Sequence, residues 1–133
     1  MQIYCGTDII EVKRIQDAIE NTKGFKESIY TKNEIANIDS IRSYMKYQRY
    51  AGRFAAKEAI YKAMSKILIE NKVEMNFLDV EIINVDELNR RPKIIFLSEK
   101  LQDLFNQHDI QIDISISHIA ENAIATAVVN FNN

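Results

Sequence analysis

The C-terminal part of the sequence carries the pattern that most restricts the fold. The isoleucines at every second position of 110–116 alternate with polar residues, and a second apolar run covers 123–130. Such alternation is typical of strands that bury one face. Only the short turn at 118–122 separates the two runs, whereas parallel neighbours need a connection of about a dozen residues or more. The two strands must therefore pair antiparallel.

The first half of the chain is predicted to add one strand and several helices. Alternation in the first residues indicates a strand that ends at about Asp8. Apolar residues at helical spacing then begin at Val12 and predict a short helix. Thr31 and Glu34 have the spacing of a capping box, which opens a second helix. Good helix formers with closely spaced alanines predict a third helix over much of 41–66.

The second half is predicted to add two strands and a helix before the C-terminal hairpin. Isoleucine-rich segments at 78–84 and 93–97 favour strands joined by a turn. Ser98 opens a helix whose apolar face includes His108, which we expect to pack rather than to react. The 133 residues, 47% of them hydrophobic, supply one modest core and no internal repeat. We therefore expect a single α+β domain over 1–133, with an antiparallel sheet packed against helices.

Composition excludes several classes of protein. The sequence has three glycines, so no glycine-rich phosphate loop can be built. Its single cysteine, Cys5, cannot form an internal disulfide, and its alternating strand predicts a buried position for it. The N-terminus has no basic segment followed by an apolar one, and no stretch of about 18 apolar residues occurs. We therefore expect a cytoplasmic protein that neither is secreted nor spans a membrane.

The net charge of −2 conceals an uneven distribution of charge along the chain. Residues 41–66 carry seven basic side chains and one acidic side chain, Glu58, while the remainder is acidic. Five of these basic residues recur three or four positions apart, so a helix would align them in one basic stripe, and no Glu lies four positions before or after any of them. The basic stripe comprises Arg42, Lys46, Arg49, Arg53 and Lys57. It indicates either a surface for phosphate or an acidic partner, or a solvated helix face.

One interpretation of the basic stripe is a non-catalytic binding module that uses the 42–57 helix face for nucleic acid or another acidic partner. Tyr44, Tyr47 and Tyr50 interleave with the basic residues, as aromatic residues do on single-strand binding surfaces. Their spacing of three is equally that of a buried stripe, and we expect them in the core. The acidic remainder of the chain also counts against nucleic acid.

Two carboxylates and a histidine are candidates for a functional site. Asp8 is predicted at a strand end, where side chains commonly face a ligand, and Glu58 lies next to Lys57 and one turn before Lys62. Two carboxylates with water and phosphate oxygens suit Mg²⁺. Glu58 and Lys62 are equally consistent with a surface ion pair. His118 closes a strand, where a donor can reach a ligand, although a structural turn histidine is the simpler interpretation.

Three blocks of the sequence match one known family in order and spacing. They are GTDIIEVKRI at 6–15, GRFAAKEAIYKA at 52–63 and ISISH at 114–118. Together they resemble the holo-[acyl-carrier-protein] synthases, the small phosphopantetheinyl transferases. The middle block, with a Lys-Glu pair and a second Lys four residues on, is the most specific. The resemblance extends over about 3–129.

The resemblance implies a 4′-phosphopantetheinyl transferase-like fold and a specific reaction. The 4′-phosphopantetheine arm of coenzyme A would pass to a serine of an apo acyl carrier protein of fatty-acid synthesis, releasing adenosine 3′,5′-bisphosphate in a reaction that needs Mg²⁺. Coenzyme A and the acyl carrier protein would be the partners, with no role for a membrane or nucleic acid. The resemblance further implies a homotrimer with active sites at the subunit interfaces.

Site residues are carried over from the resemblance position by position. Asp8 and Glu58 would be the Mg²⁺ ligands and, with Lys62 at the diphosphate, the catalytic residues. Arg14, with its neighbour Lys13, would dock the acidic carrier protein. The coenzyme A-binding residues would be Arg53, Lys57, Lys62, Arg91, Pro92 and His118.

Several glycines that are usual in the family are replaced in this chain. Tyr4 and Arg90 occupy two of these positions, and residues 65–72 replace a glycine-rich turn that follows the helix of Lys62. Glycine permits backbone conformations and close approaches that other residues do not. We therefore expect the loops around coenzyme A to differ in shape, which leaves open a degenerate homologue that binds coenzyme A without transfer.

Overall fold

The computed structural model describes residues 1–40, 45–84 and 91–132. In these ranges the chain combines helices with antiparallel sheets, which confirms the α+β class. A short 3₁₀ turn, Phe77–Asp79, precedes the second strand. In chain order the elements are β1 (Gln2–Glu11), α1 (Val12–Asn21), α2 (Phe25–Ile29), α3 (Lys32–Asp39), α4 (Met45–Asn71), β2 (Val80–Asn84), β3 (Pro92–Phe96), α5 (Glu99–Gln107), β4 (Gln111–His118) and β5 (Asn122–Phe131).

The main sheet has three antiparallel strands in the order β1-β5-β4, and β2 pairs with β3 in a separate hairpin. The register places Asp8 opposite Ala125, and Ala125 opposite Ile116, so the three residues lie in one row across the sheet. The backbone N–H of Ile119 donates to the carbonyl of Asn122 at 2.9 Å and closes the turn between β4 and β5. The predicted antiparallel hairpin is confirmed.

Helix α4 packs closely on one face of the main sheet because its contact side is built from alanine. Ala59 is fully buried and Ala63 is almost so. At Gly6 of β1, a Cβ atom would lie 2.2 Å from the carbonyl oxygen of Ala59 and 2.7 Å from the backbone nitrogen of Ala63. No side chain fits at that distance, so glycine is required where β1 crosses α4. This crossing carries Asp8, two residues further along β1, to the side of α4.

Helices α1 to α3 form the second part of the core around two tyrosines. The hydroxyl of Tyr30 donates to the carbonyl of Tyr50 at 2.7 Å, and both rings are buried. The predicted capping box of α3 is confirmed: the N–H of Glu34 donates to the hydroxyl of Thr31 at 3.2 Å, and the N–H of Thr31 donates to the Glu34 carboxylate at 2.8 Å. The ring of His108, just after α5, contacts that of Phe131, as a packing histidine should.

Several element boundaries differ from the predicted ones. Strand β1 continues beyond Asp8 because β5 pairs with it along its whole length, so the prediction that Asp8 ends the strand is wrong. Helix α4 continues to Asn71, since no glycine or proline follows Gly52 before its end. Helix α2 has five residues, too few for a periodic signal. The basic-stripe member Arg42, the residue Tyr44 and the turn residue Arg90 lie outside the described ranges.

The face of the main sheet that points away from α4 is exposed, and β1 and β5 place several apolar side chains on it. Ile3 and Ile9 of β1 are each 64% exposed, and Ile124 and Val128 of β5 are also exposed. Cys5 lies on this outer sheet face and is exposed. The prediction of a buried Cys5 is wrong, because Gly6 and not Cys5 turns toward α4. Within the described ranges, no helix combines the length and apolar composition needed to span a bilayer.

Candidate active site

Asp8, Glu58 and Lys62 come together where β1 crosses α4. The ammonium of Lys62 donates to Asp8 Oδ1 at 3.2 Å and to the carbonyl of Thr7 at 2.9 Å. The Asp8 side chain is 17% exposed and that of Lys62 is 50% exposed. The ion pair of Lys62 therefore crosses to the strand and is not the surface pair with Glu58 that helical spacing suggested. The structure brings all three predicted catalytic residues to one place.

Glu58 is partly buried beside Asp8, and this position is unfavourable for its charge. Burial raises the pKa of Glu58, the neighbouring carboxylate of Asp8 raises it further, and Lys62 opposes the rise. Within residues 1–40, 45–84 and 91–132, no group hydrogen-bonds to Glu58 or pairs with it. Two adjacent carboxylates with so few donors suit a divalent cation that also takes oxygen ligands from a phosphate. No cluster of three or more metal-binding side chains occurs in the same ranges.

A cavity of about 230 Å³ opens beside Glu58, and we call it the Glu58 cavity. Tyr61, Met75, Phe77 and Val80 supply most of its apolar wall. These residues come from α4 and from the segment that leads into β2. The cavity is suited to an uncharged arm of a ligand whose charged end lies at the carboxylates. Sequence reasoning missed this wall, because nothing in the sequence shows which apolar residues of 75–80 border α4.

A second cavity of about 150 Å³ contains three of the predicted coenzyme A-binding residues, Arg53, Pro92 and His118. We call it the Arg53 cavity. Arg53 is 5% exposed, and it donates to the carbonyl of Ile82 at 3.0 Å and to the side-chain oxygen of Asn37 at 3.1 Å. None of the described residues lines both cavities. The structure therefore divides the predicted site residues of one chain between two places.

Lys57 is buried and fully engaged in the protein interior. Its ammonium donates to the carbonyl of Ile29 at 2.7 Å, to Glu34 Oε1 at 2.7 Å and to the carbonyl of Phe77 at 3.0 Å. The side chain is 1% exposed. Burial lowers the pKa of Lys57, and the charge and hydrogen bond of Glu34 oppose that shift. An ammonium has three donors, so the expected contact of Lys57 with nucleotide phosphates disagrees with this geometry.

The basic stripe does not form a continuous solvent-facing surface. Arg53 and Lys57 are buried with protein partners, and only the remaining described members, Lys46 and Arg49, are partly exposed. This removes the surface on which a nucleic-acid-binding module would depend. Arg91 precedes Pro92 in the chain but does not line the Arg53 cavity, and its exposed guanidinium pairs with the carboxylate of Asp113.

The predicted docking residues Lys13 and Arg14 are exposed on α1. The ammonium of Lys13 pairs with Asp17 one turn later at 3.0 Å, and both groups are largely in solvent. Such an exposed pair contributes little to stability. Helix α1 begins directly after β1, so both cations lie within a short stretch of chain from Asp8.

Comparisons with known proteins place the chain in a family. A family model described as the 4′-phosphopantetheinyl transferase superfamily matches residues 4–129. A holo-[acyl-carrier-protein] synthase of Ruminiclostridium cellulolyticum is 40% identical over 132 residues, which cover 98% of this chain and 93% of that protein. One from Fusobacterium nucleatum subsp. nucleatum is 40% identical, over 97% of this chain and 99% of its own length.

Solved structures of such synthases have the same fold. The synthase of Bacillus anthracis, in complex with CoA (3′,5′-ADP), has a TM-score of 0.72 and 31% identity, with 98% of this chain and 96% of that chain covered. The Chronobacterium ammoniagenes complex with CoA has a TM-score of 0.82, covers 100% of both chains and, at 22% identity, supports the fold alone. Sequence and structure agree that the chain belongs to the 4′-phosphopantetheinyl transferase superfamily.

Proposed function

We infer that this chain is a holo-[acyl-carrier-protein] synthase that transfers the 4′-phosphopantetheine arm of coenzyme A to a serine of apo acyl carrier protein. Adenosine 3′,5′-bisphosphate is the second product. The observation that carries this function is the meeting of Asp8, Glu58 and Lys62 beside the Glu58 cavity. Relatives that are 40% identical over nearly the whole chain bear the same enzyme name. In this proposal residues 1–133 act as one catalytic domain in the cytoplasm.

Asp8 and Glu58 would hold Mg²⁺ in the active enzyme. The two carboxylates are adjacent, and the pKa of Glu58 is raised by burial and by Asp8, so a cation there would relieve a repulsion that the protein itself leaves in place. Bound there, Mg²⁺ would neutralise charge on the diphosphate of coenzyme A. Removal of divalent ions by a chelator should therefore stop transfer, and added Mg²⁺ should restore it.

The transfer forms one bond and breaks another, and each group of the site has a separate role in it. The serine oxygen forms a bond to the phosphorus that carries the pantetheine, and the bond from that phosphorus to the diphosphate bridging oxygen breaks. The exposed ammonium of Lys62 supplies positive charge where the leaving phosphate gains negative charge. The proton that the serine loses would pass to a water molecule oriented by Asp8 or Glu58. The apolar wall of the Glu58 cavity receives the uncharged pantetheine arm.

A homotrimer with active sites between subunits accounts for the division of the site residues. Predicted site residues line the Glu58 cavity and the Arg53 cavity, and no described residue lines both. Juxtaposition of the Glu58 cavity of one copy with the Arg53 cavity of another would give coenzyme A a complete site. The outer sheet face, with Ile3 and Ile9 each 64% exposed, is the surface suited to association.

The activity is tested by incubating the protein with coenzyme A, Mg²⁺ and apo acyl carrier protein and weighing the carrier by mass spectrometry. We expect a gain of one phosphopantetheine group on the carrier serine. A carrier in which that serine is replaced by alanine is the control and should gain nothing. Coenzyme A binding by calorimetry without any mass gain would instead identify a degenerate homologue, and no binding and no gain would overturn the function.

The shared site is tested by complementation between two inactive variants. Glu58→Ala removes a metal ligand, and His118→Ala removes an exposed residue of the Arg53 cavity. If each site takes its cavities from two copies, co-expression of the variants should restore about a quarter of the sites in a random symmetric oligomer. If one chain holds a whole site, co-expression restores none. Ile9→Lys should give monomers by light scattering and should abolish transfer.

A further inference from the structure

Arg49 is a second guanidinium of the Arg53 cavity, and the sequence resemblance assigns it no role. It lies one turn before Arg53 on α4 and lines the cavity together with Gln48 and His118. Its Nε is buried without a hydrogen-bond partner. Within the described ranges, no hydrogen bond or ion pair uses any part of this guanidinium. Arg53, in contrast, is held by Ile82 and Asn37.

The electrostatics of the Arg53 cavity favour an anion. Two guanidiniums one helical turn apart repel each other. Burial lowers the pKa of Arg53, Glu34 opposes this, and the charge of Arg49 lowers the pKa further. No acidic side chain is present among the described residues that line the cavity. A guanidinium without hydrogen bonds to the protein, beside a histidine and a buried amide, is suited to a phosphate monoester. Such a group offers several acceptor oxygens and up to two negative charges.

We propose that Arg49 binds the 3′-phosphate of coenzyme A and makes the enzyme select coenzyme A over 3′-dephospho-coenzyme A. This inference rests on the proposed function. Coenzyme A carries a diphosphate and one phosphate monoester. The diphosphate contains the reacting phosphorus and lies at Asp8, Glu58 and Lys62, none of which lines the Arg53 cavity. The monoester is therefore the phosphate that the Arg53 cavity receives.

Selectivity follows from what happens to Arg49 when the 3′-phosphate is absent. A donor without this phosphate leaves the guanidinium with its buried Nε unpaired, so the site loses a charge-assisted hydrogen bond and gains nothing in return. A site built to bind a polar group discriminates strongly against the analogue that lacks it. Arg53 contributes less to this choice, because two of its donors are already committed to the protein.

The test compares both donors with wild-type protein and Arg49→Gln, which keeps a polar side chain and removes the charge. For Arg49→Gln we expect kcat/KM with coenzyme A to fall about tenfold or more through KM, and kcat/KM with 3′-dephospho-coenzyme A to change less than about twofold. Arg49→Lys keeps the charge but not the planar fork of the guanidinium. Its kcat/KM with coenzyme A should lie between those of the wild type and Arg49→Gln. Lys100→Gln, an exposed lysine on α5, removes the same charge elsewhere and should match wild type.

The outcomes separate this inference from the proposed function. Equal losses with the two donors, or no loss with either, overturn the role of Arg49 while transfer by the wild type upholds the function. If the wild type transfers nothing, calorimetric titration with adenosine 3′,5′-bisphosphate and with adenosine 5′-monophosphate decides. Tighter binding of the bisphosphate that Arg49→Gln abolishes upholds the inference without the function, and equal binding of both nucleotides by both proteins overturns it. Thermal unfolding verifies that each variant is folded.

Discussion

At the scale of single residues, the site is marked by charges that the protein leaves uncompensated. Glu58 lies beside Asp8 and its pKa is raised, first by burial and then by that carboxylate. Arg49 has a buried Nε without a partner. The ammonium of Lys57, the residue next to Glu58, instead donates hydrogen bonds to Ile29, Glu34 and Phe77. Charged groups without a partner and a charged group whose donors are all hydrogen-bonded thus lie on the same helix.

Replacement of Glu58 separates stability from activity. Glu58→Gln removes a charge that its surroundings disfavour, so at neutral pH and without divalent ions the variant should melt at a higher temperature than the wild type. It should also lose at least about 100-fold in transfer rate, because it lacks the carboxylate that we propose as a metal ligand. Addition of Mg²⁺ with coenzyme A should raise the melting temperature of the wild type more than that of the variant. Retention of the wild-type rate would contradict the metal assignment.

Asp39 provides a pH-dependent stability test away from the site. Burial alone would raise its pKa, but hydrogen bonds from Lys26 at 2.7 Å and Tyr50 at 2.6 Å lower it overall. A carboxyl with a lowered folded-state pKa stabilises the fold above its unfolded-state pKa, and that stability is lost as pH falls through the folded-state value.

Asp39→Asn should therefore reduce the free energy of unfolding by about 1 kcal/mol at pH 7, and by progressively less as pH falls below about 4. Urea unfolding at several pH values measures the difference. Asp17→Asn, which removes an exposed partner of Lys13, is the control and should cost little at any pH. A pH-independent loss for Asp39→Asn would show that the lowered pKa of Asp39 does not act on stability.

At the scale of secondary-structure elements, patterns among neighbouring residues predicted the structure better than residue spacing along a helix did. The capping box of Thr31 and Glu34 and the alternation of β4 and β5 depend on near neighbours, and both are confirmed. The basic stripe placed Arg53 and Lys57 on one face of α4 but could not show that this face is buried. Glu34, the partner of Lys57, lies 23 residues away in sequence, so the two residues are in contact only in the folded chain.

The crossing of β1 and α4 is the element contact on which the site geometry depends. Gly6→Ala would place a Cβ 2.2 Å from a backbone oxygen of α4, so strand and helix would have to separate. We expect a loss of about 3 kcal/mol or more in the free energy of unfolding, and a fall in kcat because Asp8 moves relative to Glu58. Chemical denaturation and steady-state kinetics measure the two effects.

Gly52→Ala is a matched control for the loss of stability at Gly6. A Cβ at Gly52 would lie 2.9 Å from Ile116 Cγ2, the branch methyl of a side chain, so Ile116 would have to shift while the backbone stays in place. In addition, alanine gains up to about 1 kcal/mol in helix propensity over glycine. The loss in the free energy of unfolding should therefore be clearly smaller than for Gly6→Ala. Equal losses for the two variants would show that close approach to the backbone of α4 is not what requires Gly6.

At the scale of the whole molecule, charge asymmetry and the division of the site matter most. The exposed cation Arg14 lies on α1, and an acidic carrier protein would be attracted there chiefly through its association rate. Arg14→Glu should raise the KM for apo carrier protein about tenfold at low salt and less at high salt, with the KM for coenzyme A unchanged. Lys100→Glu on α5 is the control. A salt-independent effect would argue against electrostatic docking.

If the site is completed between copies as proposed, the separation of the two cavities also makes the catalytic rate per chain depend on the concentration of the protein. If a complete site exists only between copies, each dilution below the dissociation constant of the assembly removes catalytic sites as well as catalyst. The rate per chain then falls with concentration, and coenzyme A, by bridging two copies, opposes the fall. A cell that makes few copies of this chain would thus lose carrier activation more than proportionally, and the supply of coenzyme A would set how far.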